Sequence, residues 1–173
     1  VVDAQVDAQV DAAPDMAELD ASMATATLQI SELMAANDGA WVDESGETDD
    51  WFELHNFGDV PISLEGLTIA DENNGPHPLG PLVIEAGEYL VLWADGDADA
   101  GPLHVPFKLS SGGDLLVLRD RQGREIDRAQ FERLLPNEVW ARFGDDWAVC
   151  RWPTPGRGNG DQCGPPPPPD ILD

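Results

Sequence analysis

The alternation of apolar and polar residues at 49–56 constrains the fold more than any other stretch of the sequence. In DDWFELHN, two acidic residues lead into a run with a period of two. This period predicts a β-strand that places Phe52 and Leu54 on one face. The residues on the opposite face are Trp51, Glu53 and His55. A strand this well bounded by turn residues is expected to set the register of a sheet.

Short apolar stretches separated by turn residues continue along the chain. We expect roughly nine short strands and no long helix, which is typical of an antiparallel β-sandwich or barrel. The stretch 87–95 is apolar on both parities and predicts a central strand covered on both faces. The predicted strands lie within 27–37, 49–56, 61–71, 87–95, 107–110, 112–120, 124–131, 138–143 and 146–150.

The two ends of the chain differ in composition from the middle. Residues 1–13 repeat Val-Asp-Ala-Gln, and we interpret 1–25 as an acidic low-complexity tether. Five consecutive prolines at 165–169 predict polyproline II, either as a stiff spacer or as a ligand for a proline-reading domain. The predicted domain therefore spans 26–159, followed by a Pro-rich tail at 160–173.

The charge balance limits the classes of partner. The formal net charge is -25, from 34 acidic and 9 basic residues. Nucleic acids and anionic membranes require clustered Lys and Arg, so neither is expected as a partner. The acid serves solubility, or it binds divalent cations or a basic partner. No apolar run predicts a transmembrane helix. Because the chain begins with Val1, we expect a secretion signal or lipid anchor to lie upstream.

Two cysteines, Cys150 and Cys163, lie close together near the end of the chain. One interpretation is a disulfide formed in an oxidising compartment. Closing a loop of about 14 residues would add roughly 3 kcal/mol of stability in the chain-entropy model. The alternative is a pair of thiols in a cytosolic protein.

The sharpest candidate for metal binding is the alternating set Asp95, Asp97 and Asp99. Carboxylates at every second position of a loop can converge on Ca²⁺. The loop is not an EF-hand, because Ala100 and Phe107 occupy the positions that require glycine and glutamate. The alternative is a solvated acidic turn. A second acidic loop joins the site if both loops lie at the same end of the fold; it contains Asp43, Glu44, Glu47, Asp49 and Asp50.

His104 follows the aspartate loop and is either a metal ligand or else a surface or hydrogen-bonded histidine. Glu32 raises a different question, because it shares the parity of the apolar residues in the first strand. It either lies at a bulge or an exposed edge, or it forms a buried pair for which Lys108 is a candidate partner.

Six tryptophans are many for 173 residues. We assign tentative binding roles to Trp41, Trp51 and Trp152, because exposed aromatic rings bind sugars and partner surfaces. The alternative is that such rings cover the ends of a sandwich. No nucleophile elbow, phosphate-binding loop or HExxH motif occurs in the sequence, which predicts that the protein is not an enzyme.

Seven stretches in order resemble one family. They read ISELMAAN, GETDDWFELHN, ISLEGLTIAD, AGEYLVLWADGD, LHVPFKLS, GGDLLVLRD and PTPGRGN. Together, over about residues 27–159, they resemble the lamin tail domain in the form found in secreted and surface proteins of bacteria. The resemblance implies an immunoglobulin-like β-sandwich without catalytic activity. His55 departs from the pattern, which leads us to expect an aromatic residue such as tyrosine there.

These observations favour a non-catalytic binding or tethering module outside the cytoplasm. Its expected partner is a protein or cell-envelope component, reached through the loops at one end of the sandwich. The alternative is a Ca²⁺-stabilised carbohydrate-binding module, suggested by the aspartate loop and the tryptophans. A hydrolase is the least favoured hypothesis.

Overall fold

Antiparallel β-strands form three sheets in the computed structural model, which describes residues 25–160. The strands in chain order are β1 (Leu28–Met34), β2 (Asp50–Asn56), β3 (Ile62–Ser63), β4 (Thr68–Ala70), β5 (His77–Pro78), β6 (Val83–Ile84), β7 (Tyr89–Ala94), β8 (Gly113–Arg119), β9 (Glu125–Glu132), β10 (Val139–Phe143) and β11 (Asp146–Cys150).

The largest sheet has five strands in the order β11-β10-β1-β2-β7, and a four-stranded sheet has the order β5-β4-β8-β9. A third sheet pairs β3 with β6. Apolar side chains from these sheets form one buried core, to which β2 contributes Phe52 and Leu54. The molecule is an all-β, immunoglobulin-like sandwich, as the resemblance implied.

The five-stranded sheet is covered on its outer face as well. Trp51 and Trp93 face each other across β2 and β7 and belong to a second buried cluster with Met34 and Val139. Residues 153–159, here called the C-terminal strap, cross the same face and hydrogen-bond to side chains of β1 and β2. The predicted alternation of β2 is therefore confirmed, but both of its faces are largely buried.

A bulge in β1 explains the position of Glu32. The register of β1 with β2 shifts between Ile30 and Glu32, so that Glu32 lies opposite Glu53 rather than on the core side. The irregular backbone at Ile30 is satisfied by side chains of other strands, because Asp127 accepts from its N–H at 2.7 Å and Arg142 donates to its carbonyl at 2.8 Å. The bulge thus transfers Glu32 to the outer face.

The predicted central position of the strand within 87–95 was wrong. The stretch 87–95 forms β7, which is an edge strand rather than a central one. Its edge is partly covered because Trp93 exchanges backbone hydrogen bonds with Leu103 and Val105. The apolar residues on both parities are explained by the second buried cluster, which requires an apolar outer face even at the edge of the sheet.

Most other predicted strands are confirmed, including the hairpins β8–β9 and β10–β11. The predicted strand within 61–71, which Gly66 interrupts, is divided into β3 and β4 of two different sheets. The stretch 107–110 forms only an isolated bridge through Lys108. Two very short strands, β5 and β6, lie in a Pro-rich stretch that gave no strand signal. The tether at 1–25 lies almost entirely outside the described residues, as does the Pro-rich tail beyond Gly160. Within 25–160, no helix is long and apolar enough to span a membrane.

Candidate functional site

Four connections meet at one end of the five-stranded sheet. The register places the end of β1 beside the start of β2, Asp50 beside Ala94 of β7, and Val139 beside Cys150. The loops that leave these positions must therefore emerge together. This end of the sandwich is called the loop rim and consists of residues 35–49, 95–108, 133–138 and 151–152. The two predicted acidic loops are both part of it.

His104 connects these two acidic loops. Its ring is buried, with a residue exposure of 4%. Nδ1 lies 2.5 Å from Oδ2 of Asp95, and Nε2 lies 2.9 Å from Oε1 of Glu44. The contact between His104 and Glu44 spans 60 positions of the chain. The prediction that His104 is hydrogen-bonded is confirmed, and the acidic loops lie at the same end of the fold.

The electrostatics of the rim favour a charged imidazole. Burial opposes protonation of His104, but its hydrogen bonds to Glu44 and Asp95 outweigh this effect, so the pKa of the ring is raised. The hydrogen bond to His104 in turn lowers the pKa of Glu44. The arrangement therefore favours the protonated form of the imidazole.

The rim loops are also ordered by amide side chains. The Asn37 side chain donates to the carbonyls of Trp41 and Asp49, at 2.7 and 2.8 Å. Asn137, in the connection before β10, accepts from the Asp38 N–H at 2.7 Å. These long-range bonds fix loops that have no strand of their own, so the rim forms a defined surface.

The aspartates predicted as Ca²⁺ ligands do not meet around one point. Asp95 faces His104 and accepts from the Asp97 N–H, while Asp97 accepts from the Asp99 N–H. Among residues 25–160, the groups with ligand atoms within 4.8 Å of one another are Asp43, Glu44 and His104, and Asp43, Glu47 and Asp49. The convergent carboxylates come mainly from the second acidic loop.

The three tryptophans proposed for binding differ in exposure. Trp41 is 43% exposed and Trp152 is 48% exposed, and both lie on the rim. Trp51 has no exposed surface and packs in the second buried cluster, so the expectation that its ring is exposed was wrong. Sequence reasoning missed Val42 and Leu135, two apolar rim residues that are half exposed. Both lie in turn-rich stretches, where no periodicity indicates which side chains face outward.

A second unusual group lies beneath the C-terminal strap. Glu32 has no exposed surface and accepts from the Thr154 N–H at 3.1 and 3.0 Å. Glu53, opposite it, accepts from the Ser31 hydroxyl at 2.6 Å and from the Gly156 N–H at 2.5 Å. Burial raises the pKa of Glu32 to about 8 and that of Glu53 to about 7.

The partner predicted for Glu32 was wrong, although both the bulge and the burial of this side chain were among the predicted alternatives. Lys108 lies on the rim with a mostly exposed side chain, and its ammonium is 3.6 Å from Asp49. The strap supplies the donors to Glu32 instead. Since this contact spans 122 positions, no local sequence signal reveals it.

His55 faces outward, as predicted, and its ring stacks on Tyr89 with centroids 4.0 Å apart. Cys150 is buried at the end of β11. Its predicted disulfide partner, Cys163, lies outside the described residues, so the disulfide stays a prediction.

Comparison with known proteins agrees with this architecture. The family model of the lamin tail domain matches residues 21–133, which include both acidic loops and strands β1 to β9. No curated protein matches the chain. The family is a non-catalytic, immunoglobulin-like module. Because the family model matches more than half of the chain, this chain belongs to the lamin tail domain family.

Proposed function

We propose that the chain is a non-catalytic binding or tethering module that acts outside the cytoplasm. It engages a protein or cell-envelope component through the loop rim. The observation that carries this proposal is the combination of exposed apolar side chains with dense acid on one surface. Trp41 lies within the acidic loop 35–49, and Trp152 follows β11 at the same end of the sheet; both side chains are about half exposed.

The chemistry of the rim defines the partner. Eight carboxylates belong to its two acidic loops and the adjoining start of β2: Asp43, Glu44, Glu47, Asp49, Asp50, Asp95, Asp97 and Asp99. A complementary surface carries Lys or Arg around an apolar centre that packs against the tryptophans. Such an interface forms faster at low salt, because its charges lie at the edge of the contact.

The experiment compares two double variants in capture from a cell-envelope extract. Trp41→Ala with Trp152→Ala removes the rings of the rim. Phe57→Ala with Val60→Ala removes two apolar side chains of similar exposure at the opposite end of β2. We expect the same species to be captured by the unchanged protein and the Phe57/Val60 variant, and to be lost with the tryptophan variant. Equal capture by all three proteins rules out the rim as the binding surface.

A Ca²⁺-stabilised carbohydrate-binding module is the second candidate. The exposed Trp41 beside acidic residues 43–50 favours it, since aromatic rings stack on sugars and carboxylates bind hard cations. Calorimetric titration with Ca²⁺ and then with a glycan panel tests it. Binding heat that depends on Trp41 supports this function, and the absence of heat in both titrations eliminates it.

A further inference from the structure

We infer that Asp43, Glu44 and His104 form a binding site for a divalent first-row transition metal such as Zn²⁺. The site lies on the loop rim but does not depend on the partner proposed above. It also differs in ligands and in metal class from the Ca²⁺ site expected at Asp95, Asp97 and Asp99.

The central observation is the way in which His104 is held. Its two ring nitrogens have different surroundings, because Nδ1 faces Asp95, whose side chain is 10% exposed, and Nε2 faces Glu44, which is 55% exposed. A histidine that binds a metal through one nitrogen commonly donates its other N–H to a carboxylate, which fixes the tautomer and the ring. Asp95 occupies that orienting position, and Nε2 faces Glu44 of the loop 35–49.

Two carboxylates converge on Nε2 from that loop. The ligand atoms of Asp43, Glu44 and His104 all lie within 4.8 Å of one another. Ligands around tetrahedral Zn²⁺ are about 3.3 Å apart, given bonds of about 2.0 Å. The separation of 2.9 Å between Nε2 and Oε1 of Glu44 is close to this value, and the Asp43 ligand atom lies within 4.8 Å of the other two. Asp43 is already oriented, because its Oδ1 accepts from the N–H groups of Ser45 and Glu47 at 2.8 Å.

The donor set selects the class of metal. Ca²⁺ and Mg²⁺ take oxygen ligands, whereas imidazole nitrogen suits Zn²⁺ and its neighbours. Histidine nitrogen and carboxylate oxygen are both ligands that Zn²⁺ accepts. A bound cation would replace the proton on Nε2 and offset the mutual repulsion of the acidic loops.

The test measures the affinity and the thermal stability of the full chain after removal of metals with a chelator. We expect Zn²⁺ to bind in calorimetry and to raise the melting temperature by several degrees, as linkage predicts for a ligand well above its Kd. Ca²⁺ at the same concentration should give no shift. His104→Gln and Glu44→Gln should each weaken Zn²⁺ binding at least tenfold, and Asp95→Asn should weaken it about 10- to 100-fold as an orienting residue.

Asp99→Asn is the matched control, since it removes one negative charge from the same rim without touching the three ligands. It should bind Zn²⁺ as the unchanged protein does. If His104→Gln fails to fold, the exposed Glu44 makes Glu44→Gln the deciding variant. The inference is overturned if no Zn²⁺ binding is detected, if Ca²⁺ shifts the melting temperature equally, or if Asp99→Asn loses as much affinity as Glu44→Gln. If Zn²⁺ does not bind but the rim still captures its partner, the metal site is ruled out and the proposed binding function is unaffected.

Discussion

At the scale of single residues, burial separates tryptophans that the sequence presents as equivalent. Trp51 packs against Met34 and Trp93 with no exposed surface, whereas nearly half of Trp152 is exposed. The aromatic stretch around Trp51 alternates as a strand should, but alternation does not reveal that the outer face is also covered. Covering depends on distant segments that pack against the sheet.

The first prediction contrasts these two positions. Trp51→Ala should lower the free energy of unfolding by about 3–5 kcal/mol, because it leaves a large cavity in a packed cluster. Trp152→Ala should change it by less than about 1 kcal/mol, as is usual for exposed positions. Chemical denaturation followed by circular dichroism measures both. A similar loss in the two variants would show that the outer-face cluster is not a second core.

The second prediction concerns Glu32 and Glu53, whose pKa values of about 8 and about 7 are raised by burial. An acid with a raised pKa in the folded state keeps its proton after the unfolded chain has lost it. Stability is therefore highest near or below the unfolded pKa and falls as pH rises toward the folded pKa. The raised pKa of His104 acts in the same direction.

We expect the free energy of unfolding to fall by at least about 2 kcal/mol between about pH 5.5 and about pH 8.5. Glu32→Gln should flatten this dependence, because it removes the buried acid and its repulsion with Glu53. Denaturation curves at several pH values make the comparison. Stability that rises over this range, or an equally steep slope in the variant, would contradict the assignment.

At the scale of secondary structure elements, the C-terminal strap organises the outer face. It supplies donors to both buried glutamates, and Asn159 donates to the carbonyls of Ser31 and Arg142 at 2.8 and 2.9 Å. In the sequence, the motif PTPGRGN indicated where the domain ends. It did not indicate that these residues cross the sheet and hydrogen-bond to buried glutamates. The bulge in β1 turns Glu32 outward beside Glu53, and the strap supplies hydrogen-bond donors to both.

The third prediction is that Cys150 and Cys163 are joined and thereby restrain the chain on either side of this strap. Peptide mapping without reduction should recover the two cysteines in one linked peptide. Reduction should lower the free energy of unfolding by about 3 kcal/mol in the chain-entropy model. Alkylation of both thiols in unreduced, denatured protein would contradict it.

Elements with a local signal were the ones that the sequence predicted correctly. β2, β8, β9 and the hairpin β10–β11 have alternation and turn residues within a short span. The edge position of β7 and the contact between His104 and Glu44 depend on pairing between distant segments. The sequence predicted the two acidic loops and the requirement that both lie at the same end of the fold. Whether they do so depends on the order of the strands in the sheet, which the sequence did not reveal.

At the scale of the whole molecule, the fold extends beyond the family match. The match ends at residue 133, but β10 pairs with β1 in the five-stranded sheet, and β11 and the strap follow it. Without them, β1 becomes an open edge and Glu32 loses its donors. The cooperative unit should therefore reach about residue 159.

The fourth prediction tests this boundary with two fragments. Residues 25–160 should unfold in a single cooperative transition, whereas residues 25–133 should lack one, because they expose the edge of β1 and half of the outer face. Calorimetry and hydrogen exchange distinguish the two. A cooperative transition in the shorter fragment would show that β10, β11 and the strap are dispensable additions.

The loop rim as the binding surface is the central claim, and site-directed photo-crosslinking tests it most directly. A photoreactive amino acid replaces Trp41 on the rim or Phe57 at the opposite end, and each protein is irradiated in a cell-envelope extract. We predict a discrete crosslinked product from position 41 and none from position 57. Products from position 57 alone would contradict the claim and place the binding surface at the other end of the sandwich.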